Sequence, residues 1–279
     1  MFKFSEHKYQ SFADYQYKSH VLFNPCQQFV DQLEEELKML INAAIKSLKS
    51  LSIAAIFSGT MIGTVFAEAP ASTLLTPDNH TVLLIDHQPQ MAFATRSIDV
   101  AEMRNNVEGL AKSADAFDVP TILTTVAADS FSGAIFEEIQ AVFPDQTPID
   151  RTTMNTWEDD NVVDLVKAHG NKKLVVSALW TEVCGVMPVL SALEQGYEVY
   201  FVTDASGGIS EDAHNRAVER MVQAGATPIT WVQYLLELQR DWANGETYSA
   251  VMDIAKEHAG GYGLGIAYAY EMFNSQEGK

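Results

Sequence analysis

Cysteine is almost missing from this chain. Its 279 residues include only Cys26 and Cys184, too few for a disulfide framework. Basic side chains are scarce too: 18 Lys and Arg stand against 37 Asp and Glu, a formal net charge of −19. Binding to phosphate backbones is driven by Lys and Arg, so no nucleic-acid partner is expected. Docking on anionic lipid is disfavoured for the same reason. The histidines, including His80, His87, His169, His214 and His258, show no metal-ligand spacing, and no metal or cofactor is expected. A P-loop and a Gly-x-Ser-x-Gly elbow are both absent. The Gly-Tyr-Gly-Leu-Gly run at 261–265 does not join a strand to a helix, so it reads as a loop. What remains, at 47% hydrophobic and 20% charged, is the composition of a globular protein.

Charge is spread unevenly. Residues 1–67 hold six Lys and six acids, so the whole −19 belongs to the residues after them. Lys46 and Lys49 precede an uncharged, mostly apolar run at 51–67 that ends Val65-Phe66-Ala67. A basic start, an apolar middle and a small-x-small end make a secretory signal. We expect 39–67 to be a signal peptide, with Met39 the true start and 1–38 a disordered or spurious extension. The expected location is periplasmic or secreted. An uncleaved membrane anchor, or a soluble helix in a cytoplasmic protein, is the competing reading, since the run is near the lower limit of a bilayer span.

Residues 68–279 are expected to form the functional domain. Apolar runs suited to strands lie at 81–85, 121–126, 173–179, 198–202 and 227–231. Several are apolar throughout, as in strands buried on both faces. Helical patterns lie between them at 101–117, 158–169, 182–195 and 210–224. Gly170, Gly196 and Gly225 follow three of these, where a C-cap glycine is favoured. Ser210 offers an N-cap to the fourth. The alternation predicts an α/β fold with a mostly parallel sheet, covered on both faces. Residues 244–279 read as helix with a glycine-rich break at 260–265.

Ligands of such sheets bind beyond the carboxyl ends of the strands. Asp86 follows the first apolar run and Cys184 follows the third, with Arg151 between the second and fourth. Cys184 should lie in the first turn of a helix, where the macrodipole favours thiolate. Taken alone it could equally be an inert buried cysteine. Asp86 could take a thiol proton as general base, or cap a turn. Arg151 could hold positive charge beside both, or be a solvated surface residue.

The blocks Val82-Leu83-Leu84-Ile85-Asp86-His87-Gln88, Pro120–Thr125 as Pro-Thr-Ile-Leu-Thr-Thr, Asn155-Thr156-Trp157, Thr181-Glu182-Val183-Cys184 and Val202-Thr203-Asp204-Ala205-Ser206-Gly207 resemble the isochorismatase-like cysteine hydrolases, most of all the YcaC-like subgroup. The resemblance spans 75–241 in unbroken order. It implies a three-layer α/β/α sandwich of Rossmann type and a catalytic Asp, Lys and Cys, which fall on Asp86, Arg151 and Cys184. It also implies a cis peptide before Trp180, with the N–H groups of Trp180 and Cys184 as an oxyanion hole. Gln88, Phe93, Asn155 and Trp157 are the substrate-binding candidates, with packing and turn roles as their alternatives. Arg151 departs from the family lysine; arginine is effectively never deprotonated, so it supplies charge and cannot shuttle a proton. The implied activity is hydrolysis of a small amide or related carbonyl substrate through a thioester. Vinyl-ether hydrolysis of an isochorismate-type substrate, or binding of a small molecule without catalysis, are the alternatives. A homo-oligomer is implied as well, with 232–270 as its candidate interface.

Overall fold

The computed structural model describes residues 38–39 and 69–278. The chain divides into two units, Met1–Ala67 and Glu68–Lys279. The extension expected at 1–38 and the signal peptide expected at 39–67 lie outside the described residues, apart from Lys38 and Met39. Among the described residues no helix is long and apolar enough to cross a membrane.

Six parallel strands form one sheet: β1 (His80–Ile85), β2 (Thr121–Val126), β3 (Ile149–Arg151), β4 (Lys173–Ala178), β5 (Glu198–Val202) and β6 (Thr227–Ile229). Their order is β3-β2-β1-β4-β5-β6. The longer helices are α1 (Pro89–Ala94), α2 (Val100–Ala116), α3 (Glu137–Val142), α4 (Asp160–His169), α5 (Val186–Glu194), α6 (Glu211–Ala224), α7 (Trp231–Gln239), α8 (Gly245–His258) and α9 (Gly260–Phe273).

Successive side chains of a strand face opposite sides, and this splits the core in two. Val82 and Leu84 pack with Met103, Val107 and Leu110 of α2 and with Tyr234 of α7. Leu83 and Ile85 pack on the other face with Val162 and Val166 of α4 and Val189 of α5. Each such buried side chain contributes about 1.5–3 kcal/mol relative to exposure. Helix ends follow the expected chemistry. Asp99 caps α2, Asp159 caps α4 and Ser210 caps α6 through side-chain oxygens. Gly170 and Gly225 end α4 and α6 at φ of +75° and +111°, a left-handed conformation that favours glycine.

Four expectations need correction. Strand β3 was not foreseen, because its three residues Ile-Asp-Arg carry too little apolar character to register as a strand. The run expected as a strand to 231 stops at Ile229. Thr230 then caps α7 by accepting from the N–H of Gln233, so Trp231 is helical. The helix expected from 182 begins instead as a π-turn, Thr181–Gly185, before α5. Finally, 261–265 is helical within α9; the break lies at Ala259 and Gly260, where Gly260 has φ +51°. Gly263 lies so close to the Ala255 carbonyl at the end of α8 that a Cβ would collide with it.

Candidate active site

The strand order reverses between β1 and β4, the place where ligands of such sheets bind, past the strands' carboxyl ends. Asp86 directly follows β1, and the Thr181–Gly185 turn lies just past β4. Arg151 ends β3, two positions along the sheet from β1. Its side chain reaches back across that distance, and Nη2 donates to Asp86 Oδ2 at 2.7 Å. Nη1 donates to the Thr153 carbonyl. Both charged side chains are fully buried. Asp86 Oδ1, Arg151 Nε and Thr124 Oγ1 are buried without a hydrogen-bond partner. An orphaned polar atom costs about 1–3 kcal/mol, so three around one ion pair mark a site retained for something other than stability. Asp86 also has φ +59°, a left-handed conformation rare outside glycine. Such strain, about 1–3 kcal/mol, is characteristic of functional sites.

Cys184 is buried in the turn after β4. Desolvation pushes its thiol up to about 12, the Asp86 carboxylate adds to the rise, and Arg151 opposes it. Burial and the neighbouring carboxylate thus act against the acidification expected from the turn's position. The turn is buried and a carboxylate lies beside the sulfur, so a second negative charge is disfavoured. Desolvation likewise pushes Asp86 up to about 6, against the Arg151 charge and the neighbouring Cys184 thiol. Both shifts favour a neutral resting thiol beside the Asp86 carboxylate.

Around the sulfur, the N–H groups of Val183 and Gly185 donate to the Trp180 carbonyl and that of Thr181 donates to Gly207. These bonds do not use the N–H groups of Trp180 or Cys184. The Leu179–Trp180 peptide is cis, and the Trp180 indole N–H donates to the Met91 carbonyl at 2.8 Å.

The four substrate-binding candidates have other surroundings. The Gln88 amide donates to the Val126 and Gly133 carbonyls and accepts from the Val126 N–H, which ties the end of β1 to the end of β2. Asn155 accepts from the Trp157 N–H and donates to Glu158 and to Ser191 of α5. Both amides are thus engaged in holding loops. Trp157 is buried edge-to-face against Tyr197, with ring centroids 5.3 Å apart. Phe93 stands 84% exposed on α1. No side chain of the four is hydrogen-bonded to the Asp86 or Arg151 side chain; Gln88 meets the pair only through its backbone N–H, which donates to the Asp86 carbonyl at 2.8 Å. Sequence reasoning missed Thr124, which pairs with Ile85 in the sheet register and whose backbone carbonyl accepts from Asp86. It also missed His87, whose Nε2 lies 3.1 Å from both the Ala205 carbonyl and Ser177 Oγ. Burial lowers His87 to about 4, so it is neutral. Their only sequence signal is a position at the end of an apolar run.

Residues 80–233 match the isochorismatase domain family. The probable hydrolase YcaC of Escherichia coli (strain K12) is 41% identical over 171 residues, which are 61% of this chain and 82% of that protein. The E. coli YcaC crystal structure, described as an octameric hydrolase of unknown specificity, matches with TM-score 0.68 and 37% identity over 73% of this chain and 98% of that one. YcaC from Pseudomonas aeruginosa, solved with hexane-2,5-diol and covalent acrylamide, matches with TM-score 0.68 and 35% identity over 74% and 100%. The chain belongs to the isochorismatase family, in its YcaC-like branch, and is a hydrolase.

Proposed function

We propose that the chain is a cysteine hydrolase that cleaves a small amide or related carbonyl substrate through a thioester. One observation carries the reading: a fully buried carboxylate, Asp86, is held by Arg151 at 2.7 Å beside the one free thiol among the described residues. The reaction runs as follows. Asp86 takes the thiol proton while Cys184 Sγ bonds to the carbonyl carbon and the oxygen becomes negative. Backbone N–H groups of Trp180 and Cys184 receive that charge; such a donor contributes about 3 kcal/mol to lowering the barrier. The C–N bond then breaks, and protonated Asp86 gives its proton to the departing amine. Water next attacks the thioester and loses its proton to Asp86. The C–S bond breaks and the sulfur regains the proton. Arg151 moves no proton; it keeps positive charge beside a site that holds one negative charge throughout. The reaction as written needs no metal or cofactor. Covalent acrylamide on the P. aeruginosa relative supports a reactive nucleophile in this branch.

The test is the pH profile of Cys184 alkylation by iodoacetamide, followed by mass spectrometry. The rate should rise with the ionised fraction of Asp86, half-complete near pH 6, and Asp86→Asn should remove that inflection. An inert thiol would instead make the protein a binder of small molecules.

Two further readings belong to this proposal. The protein works as a homo-oligomer, as the octameric E. coli relative suggests; light scattering in solution tests this. It is exported, with cleavage after Ala67. The basic start, apolar middle and Val65-Phe66-Ala67 end support this reading. N-terminal sequencing of the protein from its native host would return a start near Glu68; an intact 39–67 segment overturns the reading.

A further inference from the structure

We infer that His214, through Thr181, is a positioning residue that holds the Cys184 turn in its reactive place. The inference rests on the proposed function for what that turn does. The turn is gripped from the side of β5. Gly207 forms a parallel bridge to Leu179, its N–H donates to the Ala178 carbonyl at 3.4 Å, and its carbonyl accepts from the Thr181 N–H at 2.8 Å. Gly208 comes so close that a Cβ there would strike the Glu182 carboxylate and lie 3.2 Å from His214 Cβ. Glu182 in turn accepts from the Ile209 N–H at 2.8 Å. The last joint is a single hydrogen bond: Thr181 Oγ1 lies 2.8 Å from His214 Nδ1 on α6.

Thr181 is fully buried and its hydroxyl bonds to the half-buried His214 ring, so removing His214 takes away that partner. Burial lowers the His214 pKa, with Glu182 opposing, which keeps the imidazole neutral and able to accept from the hydroxyl. Thr181 opens the turn three residues before Cys184. A slack joint there moves the sulfur relative to Asp86, which is fixed independently by Arg151. Misplacement of a reacting atom by about 1 Å costs on the order of 100-fold in rate. His214 itself touches no reacting group.

The experiment measures the rate of Cys184 alkylation by acrylamide near neutral pH, and its pH profile, in five forms of the full chain. Thr181→Val and His214→Ala should each slow alkylation roughly 10- to 100-fold. The double variant should be no slower than the slower single, because both remove one bond. His214→Asn, which keeps a polar atom at the Nδ1 position, should restore most of the rate. In every form the inflection near pH 6 should stay in place, since Asp86 and Arg151 are untouched. Full reactivity in both single variants, or multiplicative losses in the double, overturns the inference. If His214→Ala fails to fold, Thr181→Val against Thr181→Ser decides by the same rates. A parent chain inert to acrylamide defeats the proposed function and this role together; a reactive parent with indifferent variants defeats this role alone.

Discussion

Asp86 with Arg151, and Glu108 with Lys112, Glu257 and His258, are both groups of opposite charges within bonding distance. In the second group Lys112 Nζ lies 2.9 Å from Glu108, 2.8 Å from Glu257 and 2.9 Å from His258 Nε2. The ligand atoms of Glu108, Glu257 and His258 are close enough together to hold a metal ion, yet the ammonium of Lys112 already bonds to all three residues. Glu257 is 61% exposed, so solvent screens what the group gains. In the first group both partners are fully buried, and Asp86 Oδ1 and Arg151 Nε within the pair, with the adjacent Thr124 Oγ1, lack hydrogen-bond partners. Removing such a pair from water costs more than its attraction guarantees to return. The second, partly exposed group is satisfied. The buried one is under-satisfied, and that is where a local rule is broken in exchange for chemistry.

The largest contrast comes from the nucleophile. Cys184→Ala should lower turnover of any substrate found by at least about 1,000-fold, as loss of a covalent nucleophile does, with little change in thermal midpoint. Steady-state turnover checks it, and residual turnover close to the parent's would sink the mechanism. Next comes the ion pair. Arg151→Met leaves Asp86 buried without its partner and should cost about 3–5 kcal/mol of stability. The inflection of alkylation should move above pH 6, because the cation that opposed desolvation is gone. Arg151→Lys keeps the charge and should keep the inflection close to the parent's.

Acid stability separates the two groups more finely. Burial lowers His80 and His87 to about 4. In the unfolded chain they titrate near 6.5, so between those values the unfolded state binds protons that the folded state refuses. Their contribution is complete above pH 6.5 and is lost as pH falls toward 4, roughly 3 kcal/mol each. Asp86 has the opposite sign. Its folded value near 6 lies above the unfolded one, so acidification through that window relieves about 3 kcal/mol. Parent stability, read from urea midpoints, should therefore fall on acidification by about one histidine's share. Asp86→Asn, which lacks the relief, should fall by about twice as much. The smallest effect belongs to the surface group: Lys112→Met should cost at most about 1 kcal/mol and leave turnover unchanged, as thermal unfolding and an activity assay would show.

The strands β1, β2, β4 and β5 are legible in the sequence because they are buried on both faces and so read as apolar runs. The caps at Ser210, Gly170 and Gly225 are legible because each obeys a local backbone rule. Strand β3 is not, since an edge strand of three residues has one neighbour and no apolar run. Trp231 misled because its burial looks the same in a strand as in a helix, and only the cap at Thr230 separates them. Among the site residues, Asp86 and Cys184 could be named from the blocks they sit in, and Arg151 from its place between two of the blocks. The roles of Gln88 and Asn155 could not, because an amide reveals what it holds only through its partners.

Composition and local pattern by themselves determined the acidic domain, the α/β layering and the presence of a carboxylate and a thiol at strand ends. Those follow from interactions between near neighbours along the chain. Only the tertiary structure decided that the thiol is buried beside a carboxylate, that Arg151 spans two strands to reach Asp86, and that His214 bonds to the first residue of the cysteine turn. Ionisation and grip depend on desolvation and on contacts between segments far apart in sequence, and these exist only once the sheet has closed over its core.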